Sequence, residues 1–552
     1  MRPVAINRVF VLFLLALALF VFGNGLITLT DPDEAFYCLT AHEMSVKNEW
    51  LTPLIFGQPQ FEKPPLVYWL LEAAFKTWGE SPFTARLFPA AFAALGVMAV
   101  YFLGLMGFKD ERKAFLSAMV LASCGFYAGM GKLVFTDMIF TVLILCAMAM
   151  FVLGFVDQSR KGLGTIGFYV FAALATLAKT PLAFLVLQAA VILFLLYRRQ
   201  MNFLMNWWTV TGISLYVIIA LPWYAYIYHQ YGQAFIDEFF KRDHWRRLLT
   251  AEHRGNDHLY FYPLTMMAGI FPWSLFLVAS WVDLFKRLKS TVSLMDYLCL
   301  SWLIAVLAVF EFAHSKLTSY ILPLFPAMAL MTGNYLGDLL FRIQQRKTLE
   351  NLLFASFGLT AVLGIAAVVA AGLKKFHPYV PSMGPVFFLS GSLITLSGIG
   401  ISVVLKERYQ TAMYVLALSL LPVFMTAFMV SNQLQGYVSS REASEYVPPR
   451  AWGAMTVLTS KTNARGIRYY TGQNVAVLDF TGKPFFSPHP IPILDTNEKV
   501  LNALEKQPWT IGVVRKSAYQ DIVKNFGGKY HVALLKVIGM DYVIRVEPLK
   551  HL

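Results

Sequence analysis

At 552 residues, 57% hydrophobic and only 14% charged, the chain cannot be an ordinary soluble globular protein, and its composition calls for many bilayer crossings. Its formal net charge of +14 does not point to nucleic acid as a partner. The basic residues sit mainly in short hinges between apolar runs, where membrane topology and anionic headgroups account for them.

The first apolar run, near residues 9–28, follows Arg2 and Arg8 and lacks an A-x-A-like cleavage site, so it reads as a retained span rather than a signal peptide. A charge-bearing stretch follows at 31–69, DPDEAFYCLTAHEMSVKNEWLTPLIFGQPQFEKPPLVYW. Leu66–Trp78 is apolar but too short to cross and is expected to lie in the interface with its Trp and Tyr at headgroup level. Further apolar runs lie near 84–106, 113–130, 134–156, 164–178, 181–197, 208–228, 259–281, 297–312, 318–340, 351–373, 386–405 and 411–431. With the first, they predict a polytopic α-helical membrane protein of about 13 transmembrane helices. Cys38, Cys124, Cys146 and Cys299 are scattered and form neither a disulfide framework nor a metal motif.

Basic clusters mark every second hinge: Lys109/Arg112/Lys113, Arg160/Lys161, Arg198/Arg199, Lys286/Arg287/Lys289, Arg342/Arg346/Lys347 and Lys406/Arg408. The positive-inside rule puts these hinges and the N-terminus in the cytoplasm. The 31–69 stretch, the 132–137 turn, Lys179–Pro181, the 229–258 loop, His314–Lys316 and everything after about residue 432 then face outward, toward the periplasm or exterior. The expected division is a membrane domain at 1–432, with interfacial helices in its first outer loop (31–83), and a soluble α/β domain at 433–552. In the latter, 455–459, 475–480, 511–514, 531–537 and 541–546 read as strands, and 464–470, 501–506 and 517–526 as helices. Its length of roughly 110 residues suffices for a core of its own.

The charged groups without a topogenic explanation gather on the outer side, which argues for an outward-facing active site and against a transporter, whose ionisable residues belong at the midplane of repeat-related halves. In Asp31-Pro32-Asp33-Glu34, Asp31 as N-cap, Pro32 at the first helical position and acids in the first turn are ordinary helix-start chemistry. The same helix sets Asp33 and Tyr37 four apart on one face, where a carboxylate beside a phenol suits proton transfer or hydroxyl binding. In Phe61-Glu62-Lys63-Pro64-Pro65 the prolines hold Lys63 extended, so that its compact ammonium can meet a phosphate; a solvated Glu–Lys pair is the plainer alternative. Asp137 stands at the outer edge of an apolar run, and an acid there is a functional candidate by default. Lys179 and Lys316 place cations on the same side. The 229–258 loop, with His244, Arg247, Glu252 and His253, leaves room for a divalent metal ion, but no HExxH-type spacing supports one and the sequence requires no cofactor.

These stretches together resemble the polytopic lipid-linked-sugar glycosyltransferases of the GT-C class, and within them the aminoarabinose transferases that modify lipid A. The residues that carry the resemblance are Pro32-Asp33-Glu34 with Tyr37, Phe61 to Pro64, Asp137, Lys179-Thr180, His244 to Arg247 with Glu252-His253, Gly269 to Trp273, and Ser315 to Pro323 with its Lys316 and Tyr320. The resemblance implies an inverting transfer from an undecaprenyl-phosphate-linked sugar to lipid A or another envelope acceptor at the periplasmic face. It further implies catalytic roles for Asp33, Glu34 and Asp137. Substrate-binding roles follow for Tyr37, Glu62, Lys63, Lys179, His244, Arg247, Lys316 and Tyr320, with Glu62 and His253 the candidate metal ligands. Transfer of mannose or another sugar to a protein or polysaccharide hydroxyl is the alternative. Two positions depart from the aminoarabinose enzymes: Phe36 stands where they usually carry Arg, and Gln60 where they usually carry Tyr. Both are expected near the donor, and their hydrogen-bonding capacity predicts a different sugar, a hexose or hexosamine such as galactosamine.

The topology is open to direct measurement: alkaline phosphatase fused after Val430 is expected to be active and fused after Gln200 inactive, and the reverse pattern would overturn the outward-facing assignment.

Overall fold

The computed structural model describes residues 6–246, 249–250, 254–288, 292–373, 382–450, 453–480 and 491–549. The chain forms two compact units that interleave in sequence. The first comprises Met1–Phe22, Phe61–Val67 and Arg86–Ala427; the second comprises Gly23–Gln60, Tyr68–Ala85 and Phe428–Leu552.

The apolar runs are helical, as they must be where no water is at hand to satisfy backbone amides. Among the described residues, seven helices are long and apolar enough to cross a bilayer: Pro82–Phe108, Thr136–Val156, Gln158–Ala178, Trp207–Tyr231, Arg346–Ala371, Gly384–Leu405 and Tyr409–Met429. An eighth is broken, Phe261–Gly269 and Ser274–Arg287 meeting at 117°. Pro272 in the break has no N–H to carry the helix on. Leu12–Val21, Leu182–Arg198 and Leu294–Phe310 are shorter apolar helices. The run at 113–130 divides into Glu111–Ala122 and Gly125–Met130, and the run at 318–340 starts as a 3-10 turn, Thr318–Leu324, before Phe325–Phe341. An apolar run therefore does not equal one straight span, and among the described residues the helices do not confirm a count of thirteen.

Small residues let these helices approach closely. Gly154 and Gly164 bring Thr136–Val156 against Lys161–Ala178, and a Cβ on Gly164 would lie 2.4 Å from the Gly154 nitrogen. The basic hinges also tie helix ends together. Lys113 donates to Asn334 and Asp338, each at 2.8 Å. Arg287 pairs with Asp283 at 2.7 Å and with Asp296 at 2.8 Å, and Asp296 closes a capping box with Ser293. Lys132 donates to the carbonyls of Leu19, Phe20 and Phe22 and so caps the first helix, whose last carbonyls have no partner of their own.

In the second unit a short ribbon, β1 (Leu54–Ile55) with β2 (Gln58–Pro59), follows the helix Asp33–Lys47. The C-terminal strands are β3 (Thr456–Thr459), β4 (Asn474–Leu478), β5 (Ile493–Leu494), β6 (Thr510–Arg515), β7 (Tyr530–Ile538) and β8 (Asp541–Pro548). They form one six-stranded sheet in the order β5-β4-β3-β6-β8-β7, parallel from β5 to β6 and antiparallel beyond. Alternation in the strands feeds two cores. Val457, Val475, Val477, Ile511 and Val543 pack with Ala464 and Ile467 of the helix Ala464–Thr471. Leu458, Ala476, Leu478, Val514 and Ile544 pack with Val500, Leu504, Ile522 and Phe526 of Asn497–Glu505 and Lys516–Phe526. The helix Asp33–Lys47 belongs to this unit, through Glu43 paired with Arg468 at 3.2 Å.

The glycine contact gives a sharp test. Gly164→Ala drives a methyl into backbone that cannot swing aside and should destabilise the protein by about 1–3 kcal/mol. Gly129→Ala meets nothing within 4 Å and should not. Thermal melting in detergent reads the difference, and equal melting temperatures would refute the close approach.

Candidate active site

The acidic turn is built differently from the cap its sequence suggests. The helix begins at Asp33, with Pro32 outside it, and makes no side-chain cap bond. Glu34, fully buried, reaches back to accept from the Thr30 N–H at 2.9 Å and its hydroxyl at 3.0 Å. Asp33 is exposed in the first turn, where the helix terminus favours its negative charge. Asp31 does not cap the helix. Its carboxylate accepts from the Ser440 N–H at 2.7 Å and the Ser440 hydroxyl at 2.6 Å, a long-range tie that outcompetes the local one. Burial pushes the Asp31 carboxyl up to about 7, against the pull of Ser440, Gly466 and Arg465.

Phe36 and Tyr37 are buried one turn on, their rings edge to face at 5.2 Å. Tyr37 packs on Tyr68 at 6.2 Å, and Gln60, 2% exposed, donates to the Tyr68 hydroxyl at 2.9 Å. The Arg465 guanidinium lies over the Phe36 ring at 4.8 Å. The Arg465 guanidinium and the Tyr68 phenol thus lie beside Phe36 and Gln60, both of which are buried.

The first unit gathers a separate charged constellation. Lys179 pairs with Asp137 at 2.6 Å, and both side chains are nearly enclosed (11% and 6% exposed). The ammonium also faces the rings of Tyr320 at 4.8 Å and Phe140 at 5.4 Å. The geometry follows from the chain: Asp137 opens the helix Thr136–Val156, Lys179 ends Lys161–Ala178 as its C-cap, and these two helices form an antiparallel pair. The 3-10 turn Thr318–Leu324 brings Tyr320 to them. Beside it Lys316, 2% exposed, pairs with Glu311 at 2.6 Å, donates to the His258 carbonyl at 3.2 Å and lies 5.5 Å from the Tyr262 ring.

Glu62 is buried and Lys63 partly so, its ammonium donating to the Glu62 carbonyl at 2.9 Å. Phe61 anchors them among Leu177, Trp223, Ile227, Phe235 and Phe239. The neighbouring Glu238 pairs with Arg242 at 2.7 Å, and burial together with the charge of Glu62 raises its pKa. His244 falls in the helix Ile236–Arg246. The His244 side chain, Arg247 and His253 lie outside the described residues. Among the described residues no three His, Cys, Asp or Glu side chains gather as metal ligands.

Sequence reasoning missed Glu311, Tyr68 and Arg465. Glu311 stood five residues before a cation already singled out and was legible; Arg465 lies more than 400 residues from the turn it contacts and was not.

A helical membrane unit interleaved in sequence with an α/β unit is the fold this chain shares with the GT-C glycosyltransferases. The Dolichyl-phosphate-mannose-protein mannosyltransferase family matches residues 5–234. The undecaprenyl phosphate-alpha-4-amino-4-deoxy-L-arabinose arabinosyl transferase 2 of Pseudomonas fluorescens is 28% identical over 412 residues, which are 73% of this chain and 69% of that one. The corresponding arabinosyl transferase of Serratia proteamaculans is 26% identical over 363 residues, 65% of this chain and 64% of its own. The crystal structure of ArnT from Cupriavidus metallidurans bound to undecaprenyl phosphate shares the fold, with a TM-score of 0.78 over 98% of both chains at 16% identity. The protein is a glycosyltransferase that resembles the lipid A aminoarabinose transferases.

Breaking the Asp137–Lys179 pair leaves a charge in an apolar surround. Lys179→Met and Asp137→Leu should each destabilise the protein by about 3–5 kcal/mol, and the double change by less than either alone. Melting of the three variants in detergent decides it; single effects that simply add would mean the two side chains are not coupled.

Proposed function

We propose that this enzyme moves a sugar from undecaprenyl phosphate to lipid A at the periplasmic face of a bacterial inner membrane, with inversion at the sugar carbon. The observation that carries the reading is the enclosed Asp137–Lys179 pair beneath Tyr320, with Lys63 and Lys316 in the same unit. Cations in a setting of low dielectric suit a donor whose leaving group is a phosphate. A lipid-linked donor carries its own leaving group, so the protein must orient the sugar, stabilise the departing phosphate and admit the acceptor. In this reading Lys63 meets the donor phosphate, Asp137 holds Lys179 ready beside the sugar, and the exposed carboxylate of Asp33 handles the acceptor. As the acceptor oxygen attacks the anomeric carbon, the bond from that carbon to the phosphate oxygen breaks and undecaprenyl phosphate departs. A lipid A phosphate arrives already anionic and needs no strong base, whereas a hydroxyl acceptor would have to give its proton to Asp33. The match at residues 5–234 to a family described as mannosylating proteins favours the hydroxyl as the second reading.

The test is a transfer assay with the purified enzyme, lipid A and two donors, undecaprenyl-phosphate aminoarabinose and undecaprenyl-phosphate galactosamine. Transfer from either supports the reading, and the preferred donor names the sugar. Lys63→Ala and Asp33→Asn should each lower turnover by about two to three decades, the usual consequence of removing a charge-assisted contact worth about 2–4 kcal/mol. No transfer to lipid A from either donor, or near-normal turnover in both variants, would remove the proposal.

A further inference from the structure

The anchoring of Asp31 has no place in the chemistry described above, yet everything around it is built to hold it. Its N–H donates to the Val438 carbonyl at 2.8 Å, and its carboxylate accepts both donors of Ser440. The helix Ala464–Thr471 closes the cradle from the other side. Gly466 lies so near that a Cβ there would stand 2.4 Å from each Asp31 carboxylate oxygen and 2.1 Å from the Ser440 hydroxyl. Only a hydrogen fits in that gap. The adjacent Arg465, itself 9% exposed, donates from Nη1 to the Pro32 carbonyl at 3.3 Å and covers the Phe36 ring at 4.8 Å. Residues 438–466 therefore grip the backbone just before Asp33, through the Asp31 N–H and the Pro32 carbonyl, and the Phe36 ring just after Glu34.

We infer that Asp31 is a positioning residue: through Ser440, Gly466 and Arg465, the C-terminal segment fixes the Pro32-Asp33-Glu34 turn in its working orientation. The inference rests on the reading of Asp33 as an active-site carboxylate. Asp33 is exposed and its helix has no N-cap side-chain bond; beside the local bonds of Glu34 to Thr30, the contacts that orient its first turn come from residues 438–466. The anchor works through the hydrogen bonds that Ser440 donates to the Asp31 carboxyl, whose pKa burial raises to about 7. A reacting group misplaced by about 1 Å can lose about 100-fold in rate.

The experiment uses the full-length enzyme in detergent and compares Asp31→Ala, Gly466→Ala and Asp31→Asn. Each is measured by melting temperature, by hydrogen exchange over residues 30–37, and by kcat and KM for the lipid-linked donor. Asp31→Ala and Gly466→Ala should exchange faster in that segment and lose kcat by about 100-fold with KM for the donor unchanged. Asparagine keeps an oxygen for the Ser440 donors, so Asp31→Asn should recover most of both properties. A fold-wide structural role would instead lower the melting temperature and leave the kcat of the folded fraction intact. Exchange at 30–37 unchanged in Asp31→Ala overturns the inference whatever the activity. Faster exchange with normal kcat overturns it as well. If the unaltered enzyme transfers no sugar, the functional proposal fails, while the exchange data still decide whether Asp31 anchors the turn.

Discussion

A charge removed from water must be paired or given donors, because its desolvation is repaid in no other way. In a chain with so few charged residues, that constraint decides which helix ends come together. Asp137 and Lys179 would each be costly alone at the end of an apolar helix; together they fix the mouth of the Thr136–Val156 and Lys161–Ala178 pair and draw in Tyr320. Lys316 is settled by Glu311 and a backbone carbonyl, and Arg287 by Asp283 and Asp296. The basic hinges also hold helices to one another.

The second unit obeys the same rule with different means. Here Glu43, Asp479 and Asp541 are paired with cations, while two enclosed acids near the first turn are met by neutral donors. Glu34 takes those of Thr30, and Asp31 takes those of Ser440 and Gly466. Neutral donors fix direction without neutralising charge, which suits a carboxylate whose task is to hold a turn in place. The parallel half of the sheet supplies the platform: the helix Ala464–Thr471 follows β3 directly, and its first residues reach the turn. A soluble α/β segment that sequence credited with no chemistry thereby contributes the contacts that define the acidic turn.

The functional reading draws on both units by separate arguments. In the first, a pre-paired carboxylate and ammonium lie among aromatic rings, a setting in which electrostatic stabilisation of a departing phosphate is strong. In the second, an exposed carboxylate sits at a helix terminus whose backbone is clamped.

The sequence by itself determined what depends on local pattern and on composition. Apolar runs dictated helices and period-two alternation dictated the C-terminal strands, because each follows from how a short segment meets lipid, water or a sheet face. Asp137, Lys179, Lys316 and the acidic turn stood out for the same reason: charges are rare here and each is conspicuous. What only the tertiary structure decided is where runs break and which distant groups meet. The runs at 113–130 and 259–281 each fold as two helices, since an apolar stretch does not encode where the chain must bend to let its neighbours pack. Asp31 read as an N-cap and is instead held by residues more than 400 positions away. No periodicity or spacing reports such a contact, because its energy comes from burial that exists only once the two segments have folded together.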